Sequence, residues 1–265
     1  MLKFSPCIEM IYNDIDFYDR FARAAKNGCK FVEFWGWEGR DLDRMAKECA
    51  DNGLRITSVC VGSRNKEVAE AHGKYKLMYR EGIPAFVAAC EESIEMAKKM
   101  NIPSLIVTTG NTRNDIPRCE QHTNIVLALK AVAPLFEASG IQLIVEPLNV
   151  LKDHMGYYLD SSYEAFGIIE EVGSPSIKIL YDIYHQQITE GNLIPTIRKN
   201  IDKIGHFHVA DNPGRNQPGT GEINYKNVFK AIVDLGYEKF VGLEYSPTIK
   251  SEDAVDSTFA ILKEI

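Results

Sequence analysis

Short apolar, β-branched runs alternate with helical stretches along the whole chain, eight times in 265 residues. Parallel strands need long crossovers, and helical crossovers cover both faces of the sheet, so near-continuous apolar strands between helices specify a buried parallel sheet. The predicted strands fall at 2–10, 30–36, 54–62, 104–110, 141–147, 176–185, 203–211 and 240–246, the sixth including its trailing loop. Helices are predicted over 16–26, 42–51, 116–138, 163–172, 194–200 and 252–263, with two more opening at Pro84 and after Asn224. Asn27-Gly28, Asn52-Gly53 and Ser139-Gly140 supply the stops, Pro84 suits a first turn, and Val228, Phe229, Ile232 and Leu235 form a stripe ending at Gly236. No compositional break marks a linker. The expected architecture is therefore α/β, a single-domain (β/α)8 TIM barrel over residues 1–265, in preference to an open doubly wound sheet. No GxGxxG follows the first strand, and no Walker A motif occurs.

Charge narrows the function classes. The net charge is −7 with a sequence pI near 5.5 and no basic run, which argues against a nucleic-acid partner and an anionic membrane surface. No apolar run has the length of a signal-peptide core or a membrane span. The six cysteines (7, 29, 49, 60, 90 and 119) form no CxxC pair, so they read as reduced thiols of a cytoplasmic protein. Cys60, at a strand end, reads as a small buried hydrophobe.

Chemistry concentrates at strand ends. The stretch 205–225, GHFHVADNPGRNQPGTGEINY, runs from a buried strand into a loop carrying His206, His208, Asp211, Arg215 and Glu222. In a barrel the carboxyl ends of the strands converge on one mouth, where activity resides. The fifth strand ends in Glu146, the sixth in Asp182, the seventh in His208 and the eighth in Glu244, at separations of 36, 26 and 36 residues. Each step is one βα period, so the four should occupy equivalent layers. One such carboxylate is commonly a helix cap or an ion-pair partner; four in succession point to a divalent cation that relieves their repulsion. Three carboxylates and an imidazole form a hard, oxygen-rich set suited to Mn²⁺, Mg²⁺ or Co²⁺.

The ordered set IVEPLN, YDIYH, HFHVADNPGR, PGTGEINY and GLEY, over 141–246, resembles the xylose-isomerase-like sugar isomerase and epimerase barrels, most closely the hydroxypyruvate isomerase branch. Before that region only the VEF strand (32–34) adds to the match. The resemblance implies that Glu146, Asp182, His208 and Glu244 bind the metal, that Glu146 and Glu244 are the acid–base pair, and that His185 and Arg215 hold substrate oxygens. It also implies a homodimer or homotetramer. The hydroxypyruvate isomerase branch typically has glutamine where this chain has His208, as the ketose 3-epimerases do. Those epimerases carry a further glutamate soon after the fifth-strand one, a region where this chain has Lys152.

The chemistry implied is isomerisation or epimerisation of a small carbohydrate or hydroxy-keto acid, with one glutamate removing a carbon-bound proton and the other returning one through a metal-stabilised enediolate. Trp35 and Trp37 can wall the apolar face of a substrate, although Trp35 equally suits a cap on the barrel core. His206, two residues before His208, reads as core packing, Glu222 as a brace for the loop, and His154 has no assigned role. Competing readings are a lyase acting on a keto-sugar, a metal-dependent nuclease and a non-catalytic sugar-binding barrel.

Overall fold

A computed structural model describes residues 2–265. Its strands are β1 (Lys3–Pro6), β2 (Phe31–Val32), β3 (Arg55–Ile56), β4 (Ser58–Cys60), β5 (Ser104–Val107), β6 (Gln142–Val145), β7 (Ile177–Asp182), β8 (Ile204–Val209) and β9 (Phe240–Leu243). Its helices are α1 (Asp19–Lys26), α2 (Leu42–Asn52), α3 (Lys66–Tyr75), α4 (Ile83–Met100), α5 (Arg118–Ser139), α6 (Ser162–Val172), α7 (Ile183–Thr189), α8 (Leu193–Asn200), α9 (Tyr225–Asp234) and α10 (Ser251–Lys263).

The strands form a (β/α)8 TIM barrel. Seven pair in parallel in the order β1-β9-β8-β7-β6-β5-β4, and β2 pairs in parallel with β3. The predicted third strand, 54–62, is divided at Thr57, so β3 reaches back to β2 while β4 pairs with β5. The Thr57 amide donates to Val32 O (2.9 Å), and the Cys60 amide to Trp35 O (2.9 Å). On the other side of β2, the Glu33 amide donates to Pro6 O (3.0 Å) and the Ile8 amide to Glu33 O (2.9 Å). These four bonds carry the ladder across the seam, and eight strand positions close into a ring with no free edge.

Period-two alternation assigns the two faces of each strand. Inside the barrel, Ile106, Ile144 and Leu180 pack together with Cys60 against them. Two residues further along their strands, Ile144 and Leu180 are followed by Glu146 and Asp182, and His206 is followed by His208. The polar mouth therefore stands directly on the apolar lumen. Outward residues such as Tyr181 and Phe207 pack against the helical shell, with Phe207 meeting Tyr237 edge-on at 4.9 Å.

Two helices lie outside the sequence expectation. α3 presents little apolar surface and is set by its cap: the Asn65 side chain accepts from the amides of Glu67 and Val68. α7 takes the place of the loop predicted to trail the sixth strand, because Asp182 closes β7 and also caps this helix by accepting the His185 amide (3.1 Å).

His72 anchors α3 to α4, buried and stacked on Phe86 at 5.4 Å. Burial, with Lys76 adding to it, lowers its pKa from 6.5 to about 4. The unfolded chain therefore binds the extra proton in that window, so this contribution to stability is complete above pH 6.5 and is lost as the pH falls toward 4. Urea unfolding should show His72→Leu spared about 2–3 kcal/mol of the acid-side loss suffered by the natural protein.

Candidate active site

Glu146, Asp182, His208 and Glu244 converge as the barrel geometry requires. One ligand atom of each lies within 4.8 Å of those of the others, and all four side chains are buried. His208 Nδ1 lies 3.3 Å from Glu146 Oε1 and 3.5 Å from Glu244 Oε2. Glu146 Oε1 and His208 Nδ1 are buried without a hydrogen-bond partner. Two orphaned donors for a cation, facing one point, are what a metal would satisfy, and the donor set fits one hard divalent ion.

Electrostatics of the protein alone expose the demand for positive charge. Burial works to neutralise Glu244, but His208, Arg215 and the Trp35 indole hold its carboxyl well below the usual range. Burial likewise opposes a charged His208, yet Glu244 and Glu33 drive its pKa well upward. Asp182, with burial dominant, is raised.

Glu33, within the VEF strand, has no role in the sequence reading. It is buried just beyond β2, and its Oε2 accepts from Ser58 (3.1 Å), Thr57 (3.2 Å) and His206 Nε2 (2.9 Å). Its Oε1 lies 3.0 Å from His208 Nε2. The two histidines hold its pKa at about 2 although burial opposes the charge. Glu33 Oε1 thus stands beside His208 Nε2 as a charge partner, although neither atom makes a hydrogen bond, while His208 Nδ1 faces Glu146 and Glu244; an outer carboxylate beside a metal-bound histidine is placed in the same way. His206, expected as core packing, is buried and supports the same carboxylate. The room comes from Gly242: a Cβ there would stand 2.1 Å from Glu33 Oε1 and 2.5 Å from His208 Cδ2. The available signal was a lone acid inside the apolar run of the second strand.

His185 lies on α7, fully buried, with Nε2 3.5 Å from Asp182 Oδ2. Its Nδ1 accepts from the Asn149 amide (3.3 Å) and lies 2.6 Å from Asn149 Nδ2. Asn149 cannot be turned round, because its Oδ1 accepts from the Lys152 and Asp153 amides (2.9 and 3.2 Å). Nδ1 is therefore the acceptor and Nε2 carries the proton toward the mouth. Burial, then Arg215, lowers the His185 pKa to about 3, so the ring is a neutral donor. Asp153 completes this layer by accepting from Asn149 (2.9 Å) and Tyr184 (2.8 Å). His154 stands 5.2 Å from the His185 ring, at the mouth.

Arg215 adopts φ 54° in the loop after β8, fastened where its carbonyl accepts the Ser246 amide (2.9 Å). Its guanidinium pairs with Glu244 Oε2, and Trp35 Nε1 donates to Glu244 Oε1 (2.8 Å). Trp35 is 42% exposed and stands at the rim. Trp37 is buried in the core, so it does not wall the mouth. Asp211 and Glu222 shape the loop. Asp211 accepts from the amides of Asn212, Gly219 and Ile223, and Glu222 accepts from the Asn212 and Gln187 side chains. Burial, with Glu146 and Glu244 adding, pushes the Cys60 thiol up to about 12, which leaves it protonated.

A family profile described as xylose isomerase-like TIM barrel matches residues 21–265. Hydroxypyruvate isomerase of Escherichia coli (strain K12) is 32% identical over 267 aligned residues, covering 95% of this chain and 96% of that protein. The 2-oxo-tetronate isomerase of Cupriavidus necator is 31% identical, covering 93% of this chain and 94% of its own. Among solved structures, one described as AP endonuclease, family 2 from Brucella melitensis superposes with a TM-score of 0.85 at 26% identity, covering 98% and 99% of the two chains.

The Glu33–His208 contact yields a direct test. Gly242→Ala and Glu33→Gln should each weaken Mn²⁺ binding, read by calorimetry, by roughly 10–100-fold. The far-ultraviolet circular dichroism should keep its barrel signature.

Proposed function

The chain belongs to the xylose isomerase-like TIM barrel family, and from that premise we propose that it is an isomerase of a small hydroxy-keto acid or related carbohydrate. Glu146 and Glu244 are its acid–base pair. The observation that carries this reading is the placement of the two glutamates. They stand at the ends of β6 and β9, with Asp182 and His208 on the two strands between them. Two carboxylates flanking a common point can address the two sides of one small substrate.

Glu146, Asp182, His208 and Glu244 would hold one divalent cation, Mn²⁺, Mg²⁺ or Co²⁺, whose charge would polarise a carbonyl oxygen and the hydroxyl beside it. The protein's own groups do the rest. Glu146, whose Oε1 has no partner, takes the carbon-bound proton next to the carbonyl. Glu244, pinned by Trp35 and Arg215, faces it across the site and exchanges the second proton. His185 donates from Nε2 to a substrate oxygen, in the tautomer that Asn149 enforces. Trp35 supplies an apolar wall at the rim. Proton return to the neighbouring carbon gives aldose–ketose isomerisation; return to the other face of the same carbon gives epimerisation.

The relatives named as isomerases, at 32% and 31% identity over almost the whole chain, favour the first outcome. His208 in place of the glutamine typical of the hydroxypyruvate isomerase branch favours the second. A nuclease fits less well, because a net charge of −7 opposes binding to a polyanion. Among the described residues no helix is long and apolar enough to cross a membrane.

With Mn²⁺ or Mg²⁺ present, hydroxypyruvate should be converted to its aldehyde isomer, and chelation followed by metal replacement should abolish and restore turnover. Glu146→Gln and Glu244→Gln should each lower kcat by about 10²–10⁴-fold. Retention of more than a tenth of the activity by either variant would remove it from the acid–base pair.

A further inference from the structure

α3 ends at Tyr75, and Lys76 follows with φ 47° and ψ −142°. That region of backbone space is close to a glycine preserve, and other residues persist there only where their surroundings over-determine them, as at ligand clamps. The surroundings here are the carboxyl end of β5. The Leu77 amide donates to Thr109 O (3.0 Å), and Gly110, at φ 101°, leaves the space that Lys76 fills. A Cβ on Gly110 would come 2.8 Å from the Lys76 Cβ.

The segment beside Lys76 is tied to the active site. The Thr109 amide donates to the Tyr157 hydroxyl (2.8 Å), which donates to the main-chain carbonyl of Glu146 (2.9 Å). The Lys76 charge is felt by the Cys60 thiol, which also feels Glu146 and Glu244. In the closed ring the loop between β4 and β5, which carries Lys76, lies across the barrel from the loop after β8, which carries Arg215. The loops that carry these two cations therefore lie on opposite sides of the ring.

They differ in availability. Arg215 is taken by Glu244. A cavity of about 490 Å³ extends outward from Lys76 and is bounded by Tyr79 and the loop from Gly110 to Asp115. Its other cations are occupied: Arg113 pairs with Asp115 and lies 3.6 Å over the Tyr79 ring, and Lys74 donates to the Tyr75 hydroxyl (3.3 Å). Among the described residues, half-buried Lys76 has no hydrogen bond or ion pair through its ammonium. A strained backbone presenting an unpaired cation to a cavity at the carboxyl end of β5 suits an anionic ligand.

We propose that Lys76 binds the carboxylate of a small keto acid and is the residue that selects acids over neutral ketoses of the same length. The keto-alcohol end then lies toward Glu146 and Glu244. This rests on the isomerase reading above for the reaction, although not for the anion site itself.

Two measurements separate these. Calorimetry with tartronate, a non-isomerising hydroxy-diacid, should show affinity lower by about 10–100-fold in Lys76→Met than in the natural protein, with and without Mg²⁺, and largely recovered in Lys76→Arg. Equal affinity in Lys76→Met would overturn the proposal. In turnover, the ratio of kcat/KM for hydroxypyruvate to that for dihydroxyacetone should fall by a similar factor, through KM more than kcat. If the natural protein binds tartronate through Lys76 but isomerises neither compound, the isomerase reading fails and the anion site stands. Lys76→Gly should raise the thermal midpoint by relieving the backbone while losing tartronate; a lowered midpoint would mark Lys76 as structural and overturn the assignment.

Discussion

Three carboxylates buried within reach of one another are the constraint that the rest of this molecule answers. Removing such charges from water is costly, and their mutual repulsion adds to the cost unless positive charge is brought among them. The protein meets part of the demand itself. His208 is driven toward its protonated form, Arg215 and the Trp35 indole engage Glu244, and Glu33 draws the far side of His208 outward. What this leaves is a buried carboxylate oxygen on Glu146 and a ring nitrogen on His208, both unpartnered and 3.3 Å apart. A hard divalent cation at that point would convert a set of liabilities into a centre and would tie the stability of the mouth to its chemistry.

The barrel makes that concentration possible. A closed parallel ring sends every strand's carboxyl end to one side, and period-two alternation decides which residues face inward. Small residues then set how closely the inward groups approach. Gly242 is the clearest instance, since the space its missing side chain leaves is where Glu33 meets His208. The same ring sets the loops that carry Lys76 and Arg215 on opposite sides of the barrel.

The fold and the central quartet were legible because both are periodic in sequence. Eight apolar runs separated by helical stretches announce a barrel, and four metal-capable residues spaced one βα unit apart announce a common layer. What was not legible depends on contacts distant along the chain. Glu33 contacts His206 and His208, more than 170 residues away, so a lone acid in an apolar strand shows that some partner must exist but not which. Asn149 sets the His185 tautomer from a neighbouring strand's loop. Trp35 and Trp37 look alike in sequence, yet one stands at the rim and the other in the core, since two residues of irregular backbone after β2 do not preserve alternation. α3 was missed because a polar helix held by an Asn65 cap has a faint apolar period, and α7 because the β-branched run that makes β7 continues into it.

The proton-transfer claim is most directly tested by running the reaction in D2O with Mn²⁺ and hydroxypyruvate and locating carbon-bound deuterium in the product by NMR. Transfer through the glutamates predicts solvent deuterium on the carbon that receives the proton, with the label lost together with turnover in Glu146→Gln. Unlabelled product that carries only the substrate's own hydrogen and still forms at full rate in both Glu146→Gln and Glu244→Gln would indicate a direct hydride shift and contradict the role assigned to the two glutamates.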